Sequence, residues 1–211
     1  MLPLVSPVAV LAVVAAGALA ILSAERRIGW LHVVTKPLAT ALLFLVVGWP
    51  RGRLGAWVDA GIALSIVGDV ALLNPSDGAF IAGLAAFLLA HLAYVVGFAG
   101  AAGWAPWLLA VVLATGATTA RILRAIWPGT GGMHAPVVAY GLAITAMVTA
   151  AFGTVAGGLP LGWLAAAGAL LFYASDASLA LNRFRRPIPH AAFLTLGLYW
   201  LGQIGIALAA R

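Results

Sequence analysis

Two aspartates stand inside long apolar runs of this chain, Asp69 in "SIVGDVALL" and Asp176 in "GALLFYASDASLALNRF". A carboxylate in a lipid-spanning helix costs about 2.5 to 3.5 kcal/mol on insertion scales, so it persists where something uses or neutralises it. Lys36, in "TKPL", is the third ionisable group in such a run. Asp69 lies about a turn and a half before the breaker "NPSDG" and Asp176 two turns before Arg183, which puts both carboxyls near one face of a bundle. Lys36, near the start of its own run, falls at the same level. Two carboxyls in differing surroundings can do acid and base work, and a lysine beside them neutralises one or holds an anion. The competing reading is structural, with Lys36 snorkelling to the interface and neutralising the aspartates. The odd number of charges argues against it. One ammonium does not balance two carboxylates at close range, so a further cation or a bound proton is required.

Uncharged polar side chains accompany these three. His91 and Tyr94, at i and i+3, share a helix face, as do Tyr199 and Gln203 at i and i+4. Tyr140 follows Pro136 by one turn. Each has a plain alternative role, a satisfied core histidine or hydrogen bonding between helices. His32, His134 and His190 sit near helix starts in different places, and no two histidines have metal-ligand spacing. No G-x-S-x-G elbow, P-loop or G-x-G-x-x-G fingerprint occurs, so neither a metal nor a cofactor is expected. Glu25, Asp59 and Asp77 fall in or beside the breakers and are expected to be solvated.

The elements that must position these residues follow from composition. Of 211 residues, 64% are hydrophobic and 8% charged, far from the roughly 25% charge of soluble domains, which marks an integral membrane protein. The net charge of +6 does not suggest nucleic acid, because the basic residues are scattered and form no stripe with interleaved aromatics. With no cysteine, disulfides and thiolate chemistry are excluded. Spans of about 20 apolar residues are needed to cross the bilayer. Cutting at "AERR", "WPRGR", "NPSDG", "AAGWAP", "WPGTGG", "AGGLP" and "RFRRPIP" gives eight: 4–23, 31–49, 55–73, 79–99, 104–123, 133–154, 161–182 and 190–210. The first lacks a basic n-region and reads as a retained helix. The fold class is therefore all-α, a polytopic bundle of eight transmembrane helices forming a single domain over 1–211, with short loops making successive helices antiparallel neighbours.

Arg26, Arg27, Arg121, Arg124, Arg183, Arg185 and Arg186 lie on one side, against Arg51, Arg53 and Arg211 on the other. By the positive-inside rule both termini are expected outside the cytoplasm, in a bacterial inner membrane. "GDVAL" at 68–72 and "SDASL" at 175–179, with "AAFL" at 85–88 and 191–194, lie half a chain apart and suggest a 4+4 internal repeat that places the aspartates at equal depth.

Taken in order, "TKPL" (35–38), "SIVGDVALL" (65–73), "GLAAFLLAHLAYVVGF" (83–98), "PVVAYGLAITAM" (136–147), "GALLFYASDASLALNRF" (168–184) and "YWLGQ" (199–203) resemble the YhhN, or lysoplasmalogenase-like, family of eight-helix membrane proteins. The resemblance covers most of the chain from the second span onward. It implies hydrolysis of the vinyl ether bond of a lysoplasmalogen, a single-chain ether phospholipid, to a fatty aldehyde and a glycerophosphodiester. It also implies Asp69 and Asp176 as the family's two intramembrane aspartates, with Lys36, His91, Tyr94, Tyr199 and Gln203 among its site residues. Tyr140 joins them as a candidate substrate contact. The chemistry fits independently. Vinyl ethers hydrolyse through protonation of the carbon β to oxygen and an oxocarbenium ion, the type of cation that paired carboxyls handle in glycosidases. Asp176 is expected to be the acid and Asp69 the base or the stabiliser of the cation, with the phosphate near Lys36 and the basic rim.

The competing class is a proton-coupled transporter or a non-catalytic lipid-binding protein, since intramembrane Asp, Lys and His also mark proton paths. Against transport, the spans lack paired mid-span breaks and the ionisable groups gather near one face. The sequence carries no signal for oligomeric state.

Overall fold

A computed structural model describes residues 7–49 and 51–211. Among these residues there are helices and no strands, and eight segments are long and apolar enough to cross a membrane. The helices are α1 (Pro7–Glu25), α2 (Gly29–Ala41), α3 (Leu43–Val47), α4 (Arg53–Ala71), α5 (Asp77–Ala99), α6 (Leu108–Ile126), α7 (His134–Ala156), α8 (Gly162–Phe184) and α9 (Ala191–Ala209). Two short 3-10 turns, Trp127–Gly129 and Gly131–Met133, join α6 to α7. The start of the first expected span, 4–6, lies outside the described residues; elsewhere the expected boundaries agree within a few positions. The outer faces carry Leu11, Leu45, Leu113, Leu142 and Leu201, all largely exposed, a surface suited to lipid and not to water.

The second span is divided at Leu42: α2 ends at Ala41, and α3 completes the crossing. Pro37, inside α2, offers no amide proton to the turn before it. This break is single, since α7, the corresponding span of the second half, runs unbroken.

Tight glycine crossings hold the bundle together, as van der Waals contact must where no water drives association. On α4, Gly61 and Gly68 lie beneath the rings of Tyr94 and Phe87 of α5. On α8, Gly168 meets the backbone of α9 so closely that an added Cβ would stand 2.5 Å from the carbonyl oxygen of Gly202. The two helix pairs that carry the aspartates are thereby locked.

The halves share a neighbour pattern. α1 packs on α2 as α6 does on α7; α2 and α3 pack on α4 as α7 does on α8; α4 packs on α5 as α8 does on α9. Across the halves, α5 lies against α7 and α9 against α2 and α3. The outer helices depart from the pattern, with α1 against α9 and α6 against α8.

The expectation of three solvated acidic side chains needs correcting for Asp59. It lies within α4, partly buried and paired with Arg51, because that helix begins two residues earlier than expected and carries Asp59 a turn and a half inward. Glu25 pairs with His190 and Asp77 with Arg183, linking loops on one side of the bundle.

Candidate active site

Asp69 belongs to the buried stripe of α4 that also includes Gly61, Ile62 and Ser65, positions spaced for one helix face. Three elements converge on it. From α2, the Lys36 Nζ lies 3.5 Å from Oδ1 and donates to the backbone carbonyl of Asp69 at 3.2 Å. One turn on, the Thr40 hydroxyl donates to Oδ2 at 2.6 Å. From α9, the Tyr199 hydroxyl donates to the same oxygen at 3.0 Å. The Trp200 indole donates to the Thr40 oxygen at 3.1 Å, so the threonine proton is committed to the carboxyl. Every oxygen of Asp69 thus faces a donor or a cation.

Asp176, on α8, has a sparser set of partners. The Tyr140 hydroxyl from α7 donates to its Oδ2 at 2.6 Å, and the His91 Nε2 from α5 stands 3.4 Å from the same oxygen. His91 is fully buried, and neither ring nitrogen has a hydrogen-bond partner among the described residues. Its ring lies edge-on to Tyr140 and tilted against Phe172, which fixes its position without hydrogen bonds. The wiring of the two carboxyls is parallel. Each receives a donor from the span before its own, Thr40 or Tyr140, and a partner from the last span of the other half, Tyr199 or His91. The lysine has no counterpart on the Asp176 side.

Both aspartates line one cavity of about 270 Å³, whose wall includes Lys36, Asn74, Asn182, Arg183 and Tyr199. Asp176 also lines a second, narrower cleft of about 70 Å³ among α5, α6, α7 and α8, walled by apolar side chains such as Leu84, Ile122, Ile126 and Ile144. Leu72, Phe80, Phe87 and Leu179 are shared by both spaces. A polar chamber and an apolar one therefore meet at Asp176.

A profile described as the YhhN family matches residues 31–210. The chain belongs to the YhhN family. Human lysoplasmalogenase TMEM86B is 36% identical over 188 residues, which is 88% of this chain and 78% of that protein. The pig protein of the same name is 33% identical over 182 residues, 85% of this chain and 75% of its own. A Mycobacterium tuberculosis protein named lysoplasmalogenase is 35% identical over 164 residues, 72% of this chain and 61% of its own. No solved structure matches the chain.

In this YhhN chain, the residues singled out from sequence divide into three groups. Asp69, Asp176, Lys36, Tyr140 and Tyr199 line the chambers. His91 stands behind Asp176 and lines neither. Tyr94 and Gln203, expected at the substrate, line neither chamber. The Tyr94 hydroxyl donates to the Gln203 Oε1 at 2.7 Å, and the Gln203 amide donates to Ser65 at 3.0 Å, because polar groups in a dry bundle satisfy one another first. Lys36, expected at the rim, is buried beside Asp69, because it lies on the side of α2 packed against α4. The cation that lines the polar chamber with an exposed side chain is Arg183. Thr40, Ser65 and Trp200 were missed from sequence. Thr40 and Ser65 each left a signal, a four-residue spacing from Lys36 and from Asp69.

Proposed function

We propose that this protein is a lysoplasmalogenase that cleaves the vinyl ether bond by acid–base chemistry of Asp176 and Asp69. The observation that carries this reading is the position of Asp176 where the polar and apolar chambers meet. A single-chain ether lipid has its reactive bond at the corresponding boundary, between a polar glycerophosphodiester and a hydrocarbon tail. The first carbons of the alkenyl chain lie in the apolar cleft, and the headgroup lies in the larger chamber.

Asp176 lacks a lysine and acts as the neutral acid, giving its proton to the carbon β to the ether oxygen. Tyr140 orients its carboxyl, and His91 faces the charge left behind. The positive charge then rests on the carbon bonded to oxygen and on that oxygen, near the Asp69 carboxylate, which favours it electrostatically. Asp69 takes a proton from the water that adds to this carbon. The hemiacetal collapses with cleavage of its bond to the glycerol oxygen, which receives the Asp69 proton, while the hemiacetal hydroxyl returns a proton to Asp176. Atoms and charges balance, and both carboxyls are restored. Lys36 is the cationic partner of Asp69, and Tyr94 with Gln203 positions α5 against α9.

Turnover in D2O tests the proton's destination. One deuterium is expected on the carbon next to the aldehyde carbonyl, with products trapped by rapid reduction so that enolisation adds none. In heavy-oxygen water the glycerol oxygen stays unlabelled. Undeuterated aldehyde, or label in the glycerol product, overturns the mechanism.

The chain is an integral multi-pass membrane protein. Its orientation in a bacterial inner membrane follows, in this reading, from the arginine bias, with the polar chamber facing the cytoplasm and both termini away from it. A C-terminal reporter active only in the cytoplasm is expected to be silent. A strong signal reverses the orientation.

A further inference from the structure

Arg183, Asn182 and Asn74 line the polar chamber, and none of them belongs to the two aspartate clusters. Their hydrogen bonding has a common direction. Asn74 commits its side-chain oxygen to the backbone amide of Ser76 at 2.9 Å, capping the turn between α4 and α5. Asn182 commits its oxygen to the amide of Ile188 at 2.8 Å, tying down the chain beyond α8. In each case the NH2 group is the end left over. Arg183 has only donors. Its guanidinium carbon lies over the Phe80 ring, 4.9 Å from the centroid, and Phe80 packs edge-on against Phe184. The cation–π contact holds the arginine at the chamber wall, and its planar fork of donors suits bidentate oxygen recognition. Its partner, the Asp77 carboxylate, is 77% exposed, and such an exposed pair is readily exchanged.

A chamber wall with one planar cation and two carboxamides presenting donors is the complement of an anion with several oxygens. We propose that Arg183, with Asn182 and Asn74, binds the phosphodiester of the lipid, with Arg183 leaving Asp77 for the phosphate. This rests on the reading of the substrate given above and assigns its headgroup subsite. The phosphate anchor is thus displaced from buried Lys36, which is already occupied by Asp69, to the arginine with a replaceable partner.

Binding of saturated ether lipids, which lack the vinyl bond, tests the site apart from catalysis. The probes are 1-O-hexadecyl-glycero-3-phosphocholine and phosphate-free 1-O-hexadecylglycerol, titrated into the full chain in detergent micelles. Arg183→Gln is expected to raise Kd for the phospholipid about tenfold and leave Kd for the alkylglycerol unchanged. Asn182→Asp keeps the oxygen that caps Ile188 but replaces the donor with an anion, and the same selective loss is expected. A melting temperature in detergent near that of the parent shows that either variant is folded. Equal Kd changes for both lipids, or none for the phospholipid, overturn the proposal. If the selective loss is found but no vinyl ether is cleaved by the parent, the phosphate site stands and the hydrolase reading falls.

Discussion

Asp176→Asn is expected to lower turnover at saturating lysoplasmalogen by at least about a hundredfold, the scale on which positioned acids and bases act. The amide keeps the shape of the side chain and still accepts the Tyr140 hydroxyl bond, so packing around α7 and α8 is undisturbed. What it lacks is a transferable proton, and no other acid lines both chambers. The melting temperature in detergent is therefore expected to stay within a few degrees of the parent while aldehyde release collapses. Near-normal release from a folded variant would return Asp176 to a structural role and leave the acid unassigned.

Asp69→Asn abolishes activity on the same scale but has a second effect. It leaves the Lys36 ammonium buried without its carboxylate, and breaking a buried pair from one side costs about 3 to 5 kcal/mol. A marked fall in melting temperature should accompany the loss of turnover. The double variant Lys36→Met, Asp69→Asn removes both charges and keeps an apolar side chain of similar length, so it should regain thermal stability and remain inactive. This separates the two roles of Asp69, because restoring stability does nothing for an absent base. Recovery of turnover in the double variant would make the pair purely structural.

Much of the architecture was legible because hydropathy and breakers are local properties, and in lipid every span must satisfy its own backbone. The interruption at Leu42 was not. Pro37 is tolerated inside a membrane helix, and nothing in "TKPLATALL" states whether the turn after it recovers. The convergence of Asp69, Lys36 and Asp176 could be read from depth alone, since rise per residue is fixed. Their partners could not. Threonines in apolar helices commonly bond a carbonyl one turn back, as Thr35 and Thr145 do here, and Thr40 is distinguished only by what α4 and α9 bring to it. The pairs His91 with Tyr94 and Tyr199 with Gln203 had the same kind of spacing, yet one member of each meets an aspartate and the other turns away. A small rotation about the helix axis decides that, and it is set by glycine crossings such as Gly61 beneath Tyr94. Likewise Arg183 reads in sequence as one more charge of the inner flank, and only the fold sets it over Phe80 at the chamber wall.

The meeting of two unlike chambers at Asp176 also bears on what happens after bond cleavage. A long-chain aldehyde is soluble in the bilayer, while a glycerophosphodiester is soluble only in water. With cleavage at that boundary, as proposed, the two halves of the lipid are expected to leave in different directions and into different phases. Recombination is then suppressed by partition, and the two products can exert inhibition independently. Raising the oil-phase concentration of aldehyde burdens the apolar cleft alone, while raising the aqueous diester burdens the polar chamber alone. The bilayer thus serves as solvent, substrate reservoir and sink for one product, so the net direction of the reaction depends on the volume of membrane available as well as on the protein.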